Sequence, residues 1–417
     1  MRVIVSSSAL LFLLLGMHAT TSHLRADEKS AALAEQYMVT GQLAQGVEAL
    51  DKRLQEQPRD DEARFGLGMV QFLKGVERLA QSLHKFGLRE PTGGLAVPFL
   101  RLPLPTNPQP AQISYAASRE ILQTFVQDLA KAEATLAEVQ NADVKLPIHF
   151  GRIRLDLDGN GKGEQHETLW RLYSALNRGT VSINAEEAEK FLIVFDKADV
   201  TWLRGYCHLL SAMCEMVLAH DTRELFERTA HIFFPSVDTP FKFLENGKRV
   251  FSFSSVDIAD IIAFIHLLNF PVAEPKRMPV ALRHMELVIS LSRQNWKELM
   301  AETDDNFEWI PNPNQKGVIP NVQVTPQMVA GWGDFLNEAE LLLQGKKLIP
   351  FWRAADPRGI NLRKVFTEPR KFDLVLWVQG TDAAPYLEEG PVTTPEVWFR
   401  LNRLFNGQFL GFAFWFN

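Results

Sequence analysis

The chain has 417 residues, 46% hydrophobic and 23% charged, which suits roughly two or three globular domains and leaves no shortage of core-forming side chains. Its formal net charge is -6, and Lys and Arg do not gather in runs. Nucleic acid is therefore excluded as a partner on electrostatic grounds.

Residues 1–26 read as a secretory signal peptide: Arg2, an apolar stretch centred on Leu10 to Met17, and a polar exit with a cleavage point between Ala19 and Ala26. The apolar core is shorter than the roughly 20 residues needed to cross a bilayer, and no membrane span is expected after its removal. Cleavage at residue 26 moves the formal charge from -6 to -8, and the protein is expected to be exported, periplasmic or extracellular.

Residues 27–90 carry two runs with helical period, "AALAEQYMVTGQLAQGVEALDKRLQEQP" and "DEARFGLGMVQFLKGVERLAQSLHKFG". Each reads as a helix, a turn containing glycine, and a second helix. With Pro58 at the end of the first unit, Tyr37 and Leu50 fall on its packing positions, and Leu67 with Gly68 form the Leu-Gly pair of the next. The region resembles a pair of tetratricopeptide repeats, with Gly46 where a small alanine is usual. The resemblance implies a helical scaffold that takes a protein or peptide partner. Two repeats are too few to bury a continuous core, so they should dock on another element.

Residues 91–115 are an extended, proline-rich crossing segment, with prolines at 91, 98, 103, 105, 108 and 110. Residues 116–417 then read as an α-rich domain. Its first helix shows Ile121, Phe125, Leu129 and Leu136 along one side and is the natural dock for the repeats. Asn184 with Glu187, Thr325-Pro326 and Thr394-Pro395 are helix starts, while Gly345 and Asn406-Gly407 are stops. The stretch Leu209 to Leu218 is apolar on every side and marks an enclosed helix. Strand signals are few: "FKFLENGKRVFSF" reads as a hairpin turning at Asn246-Gly247, and "FDLVLWVQG" and the terminal "FLGFAFWFN" as short buried strands. The expected fold is mainly α, with helical hairpins packed on a larger α-rich domain, a few short strands, and one strand-loop-helix unit.

Cys207 and Cys214 are the only cysteines. On one helix, seven residues at 1.5 Å each put them about 10 Å apart, beyond the roughly 7 Å limit for a disulfide. They should be buried and free.

The stretch that carries chemistry is "LDLDGNGKGEQHE". Counting from Asp156 gives Asp at position 1, Asp at 3, Asn at 5, Gly at 6 and Glu at 12. Calcium asks for six to eight oxygens at about 2.4 Å, so short carboxylates and amides must converge from alternate positions of a tightly wound backbone. Gly161 permits the positive φ that the winding needs. Chance would produce all five positions on the order of once per thousand chains of this length. The loop resembles that of an EF-hand. By that resemblance Asp156, Asp158 and Asn160 would give side-chain oxygens and Lys162 its carbonyl. Glu164 would give a direct or water-bridged contact, and Glu167 a bidentate carboxylate, all to Ca2+.

The loop departs from a paired EF-hand in two ways. Position 8 is Gly163 where a branched apolar residue is usual, and no second loop of this pattern exists in the sequence. Ile153, Leu155 and Leu157 alternate with Arg152, Arg154 and Asp156, so a strand is expected to lead in; Leu169, Leu172, Tyr173 and Leu176 mark the helix that leads out. A strand-loop-helix unit favours a structural ion, because sensing needs a helix pair that opens.

Weaker constellations read as structure. "HETLW" lacks the second histidine of a zinc-protease helix, Ser82 and Lys85 sit in a repeat helix, and "GNGKGE" lacks the Ser or Thr that follows a phosphate-loop lysine. His208, His220, His266 and His284 read as satisfied core or boundary histidines on helices. "ETDDNFEW", with Asp304, Asp305 and Glu308, reads as an exposed acidic loop. The sequence therefore points to an exported calcium-binding protein with a binding or scaffolding role in the cell envelope. The rival reading is a secreted or periplasmic hydrolase-like enzyme with catalytic residues scattered along the chain.

Overall fold

Several helices can be traced to a local start or stop, and the computed structural model describes residues 30–89, 104–176, 185–244, 262–318, 323–353 and 357–405, with 407, 409, 412 and 413. The signal segment, the first part of the proline-rich segment and the Asn184 start lie outside the described residues. Helical residues 30–40 (α1) and Leu43–Glu56 (α2) form the first expected hairpin, turned at Gly41 with φ +68°. Gly46 is there because a Cβ at that position would meet Tyr37 Cβ at 2.8 Å.

The second expected hairpin does not form. Asp61–Lys85 (α3) is one helix of 25 residues, capped by Asp60, which accepts from the Ala63 N–H at 2.9 Å. Its glycines do not turn the chain; they let neighbours come close. A Cβ on Gly66 would meet Ala34 Cβ at 2.6 Å, and one on Gly68 would meet Leu136 at 2.5 Å. Without a positive-φ residue or proline to interrupt the hydrogen-bond ladder, the helix runs through.

Residues 104–114 cross along the end of α3, with Ala111 N–H donating to Lys85 O at 2.9 Å and Ile113 bridging Val237. Tyr115–Ala137 (α4) packs on α3 with Phe125, Leu129 and Leu136 buried, as expected. Leu146–His149 (β1) follows, then Leu169–Leu176 (α5), Ala185–Glu189 (α6) and Leu192–Phe195 (β2), which pairs antiparallel with β1, Leu146 opposite Phe195. Lys197–Leu218 (α7) is started by a capping box between Asp196 and Asp199 and packs against α4.

Beyond Arg223–Thr229 (α8), Lys242–Leu244 is a 3-10 turn where a strand was expected, and the rest of that expected hairpin lies outside the described residues. Helical residues 262–267 (α9) lead into Asn269–Phe270 (β3), and Arg277–Leu299 (α10) closes over α7. Thus α7 lies between α4 and α10; of the stretch read as enclosed, only Val217 is exposed, at 45%. Thr325 caps Pro326–Leu343 (α11), accepting from Met328 N–H at 3.2 Å, and Gly345 turns away after it at φ +69°.

Ile349–Pro350 (β4), Gly359–Ile360 (β5), Leu362–Thr367 (α12) and Phe372–Asp373 (β6), which pairs with β3, precede "LVLWVQ". That segment is not a buried strand. Leu374–Gln379 (α13) is helical because Asp373 accepts from Leu376 N–H at 3.1 Å and Gly380 closes the end at φ +108°. Val375, Leu376 and Val378 are exposed. Leu387–Glu388 (β7) and Pro395–Leu404 (α14) follow. Of the terminal "FLGFAFWFN", the described Phe409, Phe412 and Ala413 are helical, and Phe409 and Phe412 pack against Phe405. One apolar core joins α1, α2 and α3 to α4, α7, α10 and α11. No helix among the described residues is long and apolar enough to cross a membrane.

Candidate metal centre

The chain reaches the loop through β1 and a 3-10 turn, Phe150–Arg152. Ile153, Leu155 and Leu157 are buried, but the strand expected over them does not form: β1 ends at His149, only Arg154 bridges, and Asp156 is buried as well because its carboxylate turns in to collect the loop's N–H groups. Arg154 and Thr168 form an antiparallel bridge, with Leu155 N–H to Glu167 O and Leu169 N–H to Ile153 O both at 2.9 Å. The loop's two ends are thereby stapled at its base, and α5 starts at Leu169. Leu172 is buried, while the side chains of Tyr173 and Leu176 lie outside the described residues.

Asp156 winds the first half. Its Oδ1 accepts from Gly159 N–H at 2.8 Å and Asn160 N–H at 3.0 Å, and its Oδ2 accepts from Gly161 N–H at 2.9 Å. Gly159 and Gly161 take φ of +77° and +87°. Asp158 Oδ1 accepts from Asn160 N–H at 3.0 Å, and Asn160 Oδ1 from Lys162 N–H at 2.9 Å. Glu167 closes the second half, Oε1 accepting from Leu157 N–H at 3.1 Å and Oε2 from Glu164 N–H at 2.9 Å. The first and twelfth positions are thus buried at the base of the loop. Asp158 is half-buried, whereas Asn160, Lys162 and Glu164 sit on an exposed rim, where Glu164 faces His166 at 3.3 Å.

Two contributors were not visible in the loop's own sequence. Glu77 of α3 accepts from Asp156 N–H at 2.8 Å, and Gln81, one turn on, donates to Asp156 O at 2.8 Å. Their four-residue spacing places both on one face of α3, but nothing local says what that face meets. Gly163 also gains a reason: a Cβ there would meet Gly41 Cα at 2.9 Å, so position 8 touches the α1–α2 turn in place of a second loop.

The electrostatics are one-sided. Glu77, Asp156 and Glu167 are 8%, 8% and 1% exposed, and among the described residues no Lys, Arg or His forms an ion pair with any of them. Burial, with Asp156 and Glu167 adding to it, pushes the Glu77 carboxyl up to about 7. The Asp156 N–H and the charge of Lys74 act against that rise, and backbone N–H groups likewise hold the Asp156 and Glu167 carboxylates. The donors are all oxygens, which suits a hard divalent ion such as calcium and not zinc. Asp156 and Glu167 lie buried at the base of the loop, but no three of Glu77, Asp156, Asp158, Glu164 and Glu167 bring carboxylate oxygens within 4.8 Å of one another, so the loop has calcium-type spacing without a converged carboxylate set.

A second acidic group lies elsewhere. Oxygen atoms of Asp196, Glu302 and Glu308 are all within 4.8 Å of one another, and among the described residues they are the one such acidic trio. Glu308 is buried, contrary to the expected exposed loop, because Phe307 O accepts from Val194 N–H at 3.2 Å and ties the segment to β2. Asp304 meets Lys145 at 2.9 Å, and of the three acids Asp304, Asp305 and Glu308 only Asp305 is exposed. Burial pushes Glu302 up to about 8 and raises Glu308 and the adjacent Asp199, so this cluster favours a proton or a cation. Asp196 and Asp199 are already committed to starting α7.

No family model, no curated protein and no solved structure matches the chain.

Proposed function

We propose that this is an exported calcium-binding protein in which one structural Ca2+ ion stiffens a helical scaffold that holds a protein or peptide partner in the cell envelope. The observation that supports the ion most directly is the burial of Asp156, Glu167 and Glu77 around a loop of EF-hand-like spacing. The scaffolding part rests on the tetratricopeptide-like α1–α2 hairpin and its dock on α3 and α4.

Bound there, calcium would add positive charge beside three buried carboxylates that are otherwise met by backbone N–H groups and, for Glu77, by the charge of Lys74. Extracellular sites work at dissociation constants of roughly 0.1 to 1 mM. A hundredfold excess of ligand over the dissociation constant stabilises the folded state by about 2.7 kcal/mol. Scanning calorimetry with calcium and with chelator tests the reading. The melting temperature should rise with calcium in the wild type and stay unchanged in Glu167→Gln. A wild-type transition indifferent to both reagents removes the proposal.

A further inference from the structure

Two stripes of the same helical spacing face each other across α10 and α11. On α10 and just past its end, Arg293, Trp296, Lys297 and Met300 recur at i, i+3, i+4 and i+7. On α11 the same places are held by Val329, Trp332, Gly333 and Leu336. Such stripes normally interdigitate. Here they leave a cleft of about 390 Å³, within the roughly 300–1,000 Å³ of small-molecule sites.

Gly333 keeps the cleft open. A Cβ on the helical glycines Gly66, Gly68 or Gly331 would strike a neighbouring side chain at 2.6, 2.5 or 2.7 Å, whereas one on Gly333 would meet nothing within 4 Å. Glycine is the poorest helix former after proline, and no described neighbour requires it here.

The walls are apolar and held in place. Trp296 and Trp332 are 6% and 2% exposed, and Trp332 uses its one N–H on Ser292 Oγ at 3.0 Å. Phe335 and Phe409 pack on Trp332, with ring centroids at 4.9 and 6.3 Å. The rim is charged. Arg293 reaches across to Glu340 of α11 at 2.7 Å and to Asn337 at 2.9 Å. Lys297, one turn on, is exposed and forms no ion pair among the described residues. Its place in the last turn suits the helix dipole and leaves the ammonium free beside an apolar cavity.

We infer that this cleft, independent of the acidic loop, binds a small arylcarboxylate, with its aromatic body beside Trp296 and Trp332 and its carboxylate on Lys297. Apolar walls strip water from hydroxyls without offering hydrogen bonds in return, which disfavours a sugar. Two cations against one carboxylate at the rim disfavour an organic amine. A flat apolar body carrying one negative charge meets both conditions.

Titration calorimetry of the full chain with β-naphthoate, and with the neutral β-naphthamide of the same shape, tests this. Naphthoate should bind with a dissociation constant on the order of 0.1 mM, the reach of a ligand of about a dozen heavy atoms. The amide should bind roughly fivefold more weakly, the scale of a partly exposed charge pair. Lys297→Met, a change on the surface, should bring naphthoate to the level of the amide and leave the amide unchanged. Gly333→Leu fills the cleft and should abolish binding of both, with a melting temperature at or above the wild-type value to show that the fold is intact. The inference is overturned by wild-type protein that gives no heat with naphthoate up to about 1 mM, or that binds acid and amide alike. Undiminished naphthoate binding in Lys297→Met or Gly333→Leu overturns it as well.

Discussion

His208 on α7 and His284 on α10 meet nitrogen to nitrogen, with Nδ1 atoms 2.9 Å apart and ring centroids 5.1 Å apart. The contact is a hydrogen bond only while one Nδ1 carries a proton and the other does not. Behind His208, its Nε2 faces Glu133 of α4 at 3.6 Å, and Arg204 holds the same carboxylate at 2.9 Å. The Glu215–Arg277 pair, at 2.8 Å, ties α7 to α10 on the same seam. A proton on both Nδ1 atoms would set N–H against N–H between the two helices.

Acid sensitivity follows from this pair. Burial, and then His208, hold the His284 imidazole below its ordinary pKa. A base depressed in the folded state adds stability that is present above the unfolded value near 6.5 and is lost as pH falls through the folded value. The urea midpoint should drop from about pH 7 to about pH 5 by more in the wild type than in His284→Gln. Equal drops would remove the pair from any account of acid lability.

Glu302 has the opposite sign. Its carboxyl, raised from 4.5 to about 8, is neutral in the folded protein at neutral pH and accepts from Gln315 Nε2 at 3.0 Å. An acid raised in this way contributes stability below its unfolded value that disappears as pH climbs through the folded one. Glu302→Gln, which stays neutral, should flatten the decline in stability between pH 5 and 8 and be the more stable protein at pH 8. A variant less stable than wild type at both ends would show that the charge is needed.

The helical glycines separate packing from propensity. Gly66→Ala and Gly68→Ala improve helix propensity by up to about 1 kcal/mol yet press a methyl on Ala34 and Leu136, an overpacking that costs about 1–3 kcal/mol. Both should lose stability in urea. Gly333→Ala on α11, where a Cβ meets nothing within 4 Å, should gain about 0.5–1 kcal/mol. A gain at Gly66 or Gly68 would contradict the close helix contacts.

Cys207 and Cys214 are buried, free thiols on α7, as their spacing implied. Burial pushes Cys214 up to about 12 and Cys207 higher still, so neither offers thiolate at neutral pH. A disulfide reagent should label both only after unfolding, and rapid labelling of the native protein would contradict their placement.

The candidate site was legible in part. The winding at Asp156, Gly161 and Glu167 could be read directly because calcium-type spacing is a property of twelve consecutive residues. Glu77 and Gln81 could not, since a glutamate and a glutamine one helical turn apart also describe an ordinary wet surface. Glu308 was misplaced for a similar reason: an acidic run reads as exposed until β2 is found to hold its neighbour.

What the sequence determined by itself is local: the mainly helical class, the start at Thr325, the glycine-containing turn of the first hairpin, the free thiols on one helix and the coil of the acidic loop. Each follows from φ preferences and hydrogen bonds spanning a few residues. Tertiary structure alone decided that α3 runs unbroken, that "LVLWV" stands as an exposed helix, and that Gly163 abuts Gly41. These depend on which surfaces meet after chain closure over tens of residues, where the same glycine or valine serves equally well as a turn, a contact or a core residue.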